Sequence, residues 1–205
     1  IDGFEGGESE TLLGQWMAER GNRDQLFIAS KVGFDYQDVP ISLRANIIEE
    51  ECNKTLKRLN IDTIDLYYAH KDDRTTPLEE TMETFDRLIN AGKIRYIGAS
   101  NYLAWRLERA KWVCETNLWA QYCCVQQRYT YLPMRPGASS GRQEVANEDL
   151  RQYCVDTDTT LLAYSVMLGG AYTRDDHPMP EGYVSPDNKE RLQTLRTIAG
   201  ELGAT

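Results

Sequence analysis

The sequence predicts an α/β fold in which a parallel sheet is covered by helices, as an open doubly wound sheet or a (β/α)8 barrel. Three observations predict it. A helical pattern is followed by five strand–helix alternations, with no antiparallel hairpin signal between them. The strand candidates are short apolar runs bounded by polar punctuation, the pattern of strands buried on both faces. The clearest is Ile64-Asp65-Leu66-Tyr67-Tyr68-Ala69. Each candidate also ends in a chemically capable group: Lys31, His70, Ser100-Asn101, Gln126 or Tyr164-Ser165. In a parallel sheet those five ends meet at one face. Polar groups spread over many strand ends favour the barrel, although five strands do not close one. No G-x-G-x-x-G or Walker sequence follows any strand, so the glycines lend the open sheet no support.

In chain order, Glu8 to Arg20 reads as a helix with Leu12, Leu13, Trp16 and Met17 inward and Gly21 as its stop. The strand Gln25 to Ser30 follows, ending at Lys31, and Gly33 to Pro40 is a loop of breakers and aromatics. Ser42 is placed to cap the next helix, whose stripe is Ala45, Ile48, Cys52, Leu56 and Leu59, with Glu50 and Lys54 paired outside. After the His70 strand, Thr76-Pro77-Leu78-Glu79 has the form of a capping box with proline at the first helical position. Leu78, Met82, Phe85 and Ile89 then share a face until Gly92. The strand Lys93 to Ala99 leads to Ser100-Asn101 and to a helix with Leu103, Leu107, Ala110 and Cys114 on one face. Trp105 and Trp112 lie on its other face, where a loop or neighbouring helix is expected. Cys123-Cys124-Val125 ends in Gln126, and Tyr129 to Val145 is a long loop of the kind that is often functional. A short helix, Glu148 to Cys154, precedes the strand Thr160 to Ala163. Gly169-Gly170 opens a proline-rich loop before a last helix from about Asn188 to Leu202.

Composition excludes several classes of function. The chain has 205 residues, 41% hydrophobic and 27% charged, within the soluble globular range. A net charge of -9 with no basic stripe argues against a nucleic-acid surface. No apolar run approaches the roughly 18–20 residues of a membrane span, and no signal peptide is seen, so no membrane partner is expected. The chain begins at Ile1 rather than Met, leaving room for an upstream piece. Five cysteines without C-x-x-C form a reduced, cytoplasmic pattern of small buried hydrophobes. With only His70 and His177 in the chain, no metal site is expected.

Position alone leaves each candidate residue several readings. Lys31 suits a Schiff-base amine, a charge partner or a snorkelling surface residue. His70 suits a proton or hydrogen-bond donor, or a satisfied rim histidine. Ser100, Asn101 and Gln126 suit an amide-bearing ligand, or ordinary loops. Tyr164 offers a ring for stacking, or a core residue. Their convergence at one face is the stronger signal.

Six stretches in order over most of the chain resemble the aldo-keto reductases. They are Glu8-Ser9-Glu10-Thr11-Leu12-Leu13-Gly14; Ile28-Ala29-Ser30-Lys31-Val32-Gly33; the strand Ile64 to His70; Gly92 to Asn101; Val125-Gln126; and Ala163-Tyr164-Ser165 followed by Gly169-Gly170. The resemblance implies a (β/α)8 TIM barrel using NADP(H), with residues 1–205 one barrel domain holding about five of eight strands. It matches Lys31 and His70 to two members of the catalytic tetrad. Ser100, Asn101 and Gln126 match the groups that hold the nicotinamide carboxamide, and Tyr164 matches the ring stacked on it. Ser165, Met167 and Gly169 would lie along the pyrophosphate, with Arg174 a further contact. A lysine ammonium lowers the pKa of a neighbouring tyrosine acid, and a histidine orients the carbonyl.

The departures are the family's acid tyrosine and the aspartate paired with its lysine, which precede the Glu8-Ser9-Glu10 stretch. Asp2 sits in loop-like sequence and is given no role. The eighth strand and the basic segment gripping the 2′-phosphate lie beyond Thr205. Pro136 to Gln143 is similar to that segment in composition but falls two strands early, and reads as a substrate-side loop. Residues 1–205 alone are therefore expected not to be a self-sufficient enzyme. The implied activity is NADPH-dependent reduction of an aldehyde or ketone, a small-molecule carbonyl, to the alcohol. The alternative is a cofactor-binding regulatory protein on the same scaffold, similar to the potassium-channel β-subunits. Gly33 and the loops after Lys31 and Gln126 imply a roomy pocket.

Overall fold

The computed structural model describes residues 6–36 and 39–204; Asp2 lies outside them. The elements are α1 (Glu8–Arg20), β1 (Ala29–Val32), α2 (Ala45–Leu59), β2 (Ile64–Ala69), α3 (Leu78–Asn90), β3 (Ile94–Ser100) and α4 (Ala104–Asn117). They continue with β4 (Tyr122–Arg128), α5 (Glu148–Asp156), β5 (Thr160–Tyr164) and α6 (Pro186–Glu201). The five strands form one parallel sheet in the order β1-β2-β3-β4-β5 with flanking helices. That is the α/β arrangement of a partial (β/α)8 barrel. Among the described residues no helix is long and apolar enough to cross a membrane.

By backbone packing the chain divides into two compact units. One comprises the residues up to Gln126 with Glu148–Leu161; the other comprises Gln127–Asn147 with the residues from Leu162 onward. In the first unit β2 is buried along its whole length. Alternation sends Tyr67 to the helix side, where its ring meets Phe85 of α3 edge-on at 6.2 Å. Phe85 meets Tyr122 at 6.3 Å, and Tyr122 meets Tyr102 at 5.6 Å, so an aromatic chain ties sheet to helices. In the second unit Leu132, Leu168, Ala171, Tyr172 and Tyr183 form a separate core. The Asn188 amide donates to the carbonyls of Pro133 and Tyr183, both at 2.8 Å, which pins the long loop.

Several local expectations are corrected. β1 begins at Ala29, because the buried Asp65 carboxylate takes the Ile28 N–H at 2.8 Å and Arg23 at 2.7 Å and holds the preceding residues in a turn. Lys31 therefore lies within the strand. α1 turns Leu12 and Trp16 to solvent and buries Gly14 and Met17. Glu10 points inward to Ser30, Thr55 and Arg58, and the bare Gly14 backbone lies against the end of α2. Ser42 does not cap α2: its hydroxyl accepts from Arg44 N, while Glu80 accepts from Ala45 N at 2.9 Å. The capping box is also absent. Thr76 is committed to the Asp73 carboxylate at 2.6 Å, Pro77 is the cap residue itself, and Leu88 rather than Ile89 is buried. Trp105 is half-exposed under the Arg74 guanidinium, and Trp112 faces solvent.

Candidate active site

The first unit brings Lys31, His70, Ser100, Asn101 and Gln126 to the C-terminal ends of β1 to β4. The register aligns Lys31 with Tyr68, Tyr68 with Gly98, and Gly98 with Cys124; two residues on, Ser100 aligns with Gln126. Because side chains alternate, Lys31, Tyr68, His70, Ser100 and Gln126 share one face of the sheet. His70 follows β2, its N–H bonded to Val32 O at 2.7 Å, and its ring lies 4.7 Å from Phe34. Burial, then the charge of Lys31, pushes its pKa down to about 4, so the imidazole is neutral at pH 7. Lys31 is half-buried, and burial lowers its pKa from the usual lysine value. Lys31, Phe34, Asp35, Tyr36, Glu51 and His70 line a cavity of about 230 Å³. A larger, more apolar hollow of about 610 Å³ near Tyr183 and Leu192 contains none of the candidate residues.

Ser100 and Asn101 are buried, at 1% and 4% exposure. Asn101 adopts a left-handed conformation (φ 56°), which asparagine tolerates better than most residues. From there its amide donates to His70 O at 3.0 Å and Ser100 Oγ at 3.2 Å. Gln126, half-buried within β4, makes no side-chain hydrogen bond among the described residues. This donor set fits a primary carboxamide: a hydroxyl and two amides can each give or accept a hydrogen bond, and one amide is uncommitted.

The second unit holds the remaining candidates. The Tyr164 carbonyl accepts from Tyr129 N at 3.2 Å. Ser165, Leu168, Gly169 and Gly170 all take positive φ, so the segment coils tightly and leaves Met167 and Gly169 at the surface. Arg174 is exposed and forked onto Asp176, at 3.0 and 2.6 Å. Among the described residues no group of three or more His, Cys, Asp or Glu side chains is placed to hold a metal ion.

The sequence reading gives no site role to Phe34, Tyr68 or Gly98. Tyr68, two residues before His70 on the same strand, carries the one available signal. The alignment of Gly98 beside it emerges only from the register.

The model of the aldo/keto reductase family matches residues 3–205. Aldo-keto reductase yakc [NADP(+)] of Schizosaccharomyces pombe is 31% identical over 184 residues, 86% of this chain and 50% of its own length. Aldo-keto reductase YhdN of Bacillus subtilis is 32% identical over 169 residues, 82% of this chain and 46% of its own. Norsolorinic acid reductase stcV of Emericella nidulans is 32% identical over 134 residues, 62% of this chain and 35% of its own. The chain thus spans about half the length, or less, of these curated relatives. Strand order, strand-end chemistry and matched sequence agree: the chain belongs to the aldo/keto reductase family.

Proposed function

We propose that the complete protein reduces an aldehyde or ketone to the alcohol with NADPH. The observation that carries this reading is that a half-buried Lys31 and a neutral His70, from the adjacent strands β1 and β2, line one cavity. The NADP(+) in the name of the Schizosaccharomyces pombe relative supports the cofactor. Bound at this site, NADPH would supply the hydride. Ser100, Asn101 and Gln126 would hold the nicotinamide carboxamide. Lys31 would lower the pKa of a neighbouring hydroxyl acid, and His70 would donate an N–H to the carbonyl oxygen. From the family's motif alone, a stacking ring is proposed for Tyr164, pyrophosphate contacts for Ser165, Met167 and Gly169, and a further contact for Arg174. The free thiols support a cytoplasmic setting.

The test is aldehyde-dependent NADPH oxidation by the complete protein and its His70→Ala variant. Turnover should fall about 10²-fold or more while NADPH affinity changes little. NADPH binding without turnover of any aldehyde or ketone in a broad panel would overturn the enzyme reading and favour a regulatory role.

A further inference from the structure

His70 heads the segment that leaves β2, and the chain around the start of α4 grips that segment at two points. Arg106 of α4 donates from Nε to the Asp72 carboxylate at 2.8 Å and from Nη2 to the Asp73 carbonyl at 3.4 Å. The Arg106 and Asp72 side chains are 9% and 7% exposed, so this ion pair is buried. Just before α4, Asn101 donates to His70 O at 3.0 Å. Residues 70 to 73 are thus held at both ends. The Asp73 carboxylate extends the brace: it accepts from Leu43 N at 3.0 Å and from the hydroxyls of Thr75 and Thr76, both at 2.6 Å. Leu43 in turn packs against Gly33, where an added Cβ would fall 2.6 Å from Leu43 Cδ2. Gly33 precedes Phe34, whose ring lies 4.7 Å from His70. Arg106 places a charge on an inner face of α4 that is otherwise Ala104, Leu107, Ala110, Val113 and Cys114. A buried ion pair returns little stability beyond that of apolar side chains of similar volume. What it adds is direction, because a guanidinium bonds in a fixed fork.

We propose that Arg106 is a positioning residue for His70, its guanidinium fixing the segment that carries the imidazole through Asp72 and Asp73. The assignment rests on the catalytic reading of His70 given above. The His70 N–H is tied to Val32 O and its carbonyl to Asn101, which sets the main chain where the segment begins. Arg106 sets the direction in which it leaves the strand. Misplacing a group at the reacting centre by about 1 Å can cost on the order of 10²-fold in rate. A contact two residues from His70 therefore bears on turnover through geometry alone.

The experiment uses the complete protein. Arg106→Met, which removes the fork and fills its place with an apolar chain, should lower kcat for aldehyde-dependent NADPH oxidation roughly ten- to hundredfold. The aldehyde KM and the NADPH Kd should stay within about twofold of wild type. Arg106→Lys, which returns the charge without the fork, should recover part of the loss. The His70 ring signal, assigned in a ¹H–¹³C spectrum by its disappearance in His70→Gln, should shift in Arg106→Met. Asp65→Ala is the control: it breaks a different buried ion pair on β2 and should leave kcat and the His70 signal unchanged below its melting temperature. If the methionine variant does not fold, Asp72→Asn removes the charge at the same shape and is read by the same measurements. A folded variant with wild-type kcat, or with an unmoved His70 signal, would overturn the proposal, as would an equal loss of kcat in Asp65→Ala. If His70→Ala left turnover intact, the catalytic reading of His70 would fail instead, while the His70 signal would still decide whether Arg106 positions the ring.

Discussion

The side-chain amide of Asn101 donates to the main-chain carbonyl of His70 at 3.0 Å, locking the end of β3 to the end of β2. Two residues proposed for different tasks therefore share one rigid junction. Asn101→Ala should cost about 2–3 kcal/mol, because it orphans the His70 carbonyl and forces alanine into a left-handed conformation. Asn101→Gly accepts that conformation and should recover about 1 kcal/mol of the loss. Urea denaturation of both variants checks the difference, and equal losses would show that backbone conformation is not part of the cost.

Stability should depend on pH in two separate windows. His70 is held down to about 4 when folded, against an ordinary value of 6.5. As pH falls from 6.5 to 4 the unfolded chain binds a proton that the folded chain refuses, so stability drops, by at most about 3 kcal/mol. Asp73 is displaced the other way relative to its charge. Burial raises its pKa, but hydrogen bonds from Thr75, Thr76 and Leu43 N–H outweigh that and hold it at about 2. Its contribution is present above 3.8 and lost as pH falls from there toward 2. His70→Gln should flatten the upper window and leave the lower one; a variant as acid-sensitive as wild type between pH 6.5 and 4 would remove His70 as the cause.

How much was legible depended on what each signal measures. The strand Ile64–Ala69 is readable to the residue because burial on both faces writes continuous apolarity into sequence. Its terminal histidine and the strand-end polar groups on β3 and β4 follow from parallel order. The face of α1 was not legible, since Gly14 and Glu10 look like weak and polar positions until a close helix neighbour gives them partners. Caps failed for a related reason. Ser42 and Thr76 have the right chemistry and spacing, but partners in their own loops engage them first. Tyr68 and Gly98 meet through register, which sequence spacing does not encode.

Asp65 is 1% exposed and receives Arg23 at 2.7 Å, Arg95 at 2.8 Å and the Ile28 N–H at 2.8 Å. Asp65→Ala leaves a buried N–H and a partly buried guanidinium without their partner, and should cost about 3–5 kcal/mol. The Arg95 side chain is 63% exposed, so Arg95→Ala should cost under about 1 kcal/mol. Chemical denaturation of the pair tests whether the cost resides in the buried carboxylate or in the visible salt bridge. Comparable losses would assign it to the surface pair.

Glycine to alanine substitutions in two helices should change stability with opposite sign. In an exposed helix interior, alanine is favoured over glycine by about 1 kcal/mol. Gly200, inside α6, has open space around its missing Cβ, so Gly200→Ala should stabilise by up to about that amount. Gly14, inside α1, gains the same propensity but meets main chain: its Cβ would lie 2.5 Å from Arg58 O and 2.7 Å from the carbonyl carbon and oxygen of Leu59. Main chain cannot swing aside as a flexible side chain can, so α1 must move off α2. Displacement of this kind costs about 1–3 kcal/mol. It would also disturb the inward Glu10, which is held by Ser30, Thr55 and Arg58. Overpacking outweighs propensity, and Gly14→Ala should lower the melting temperature while Gly200→Ala raises it. A stabilised Gly14→Ala variant would mean that α1 does not approach α2 at Gly14 as closely as the geometry requires.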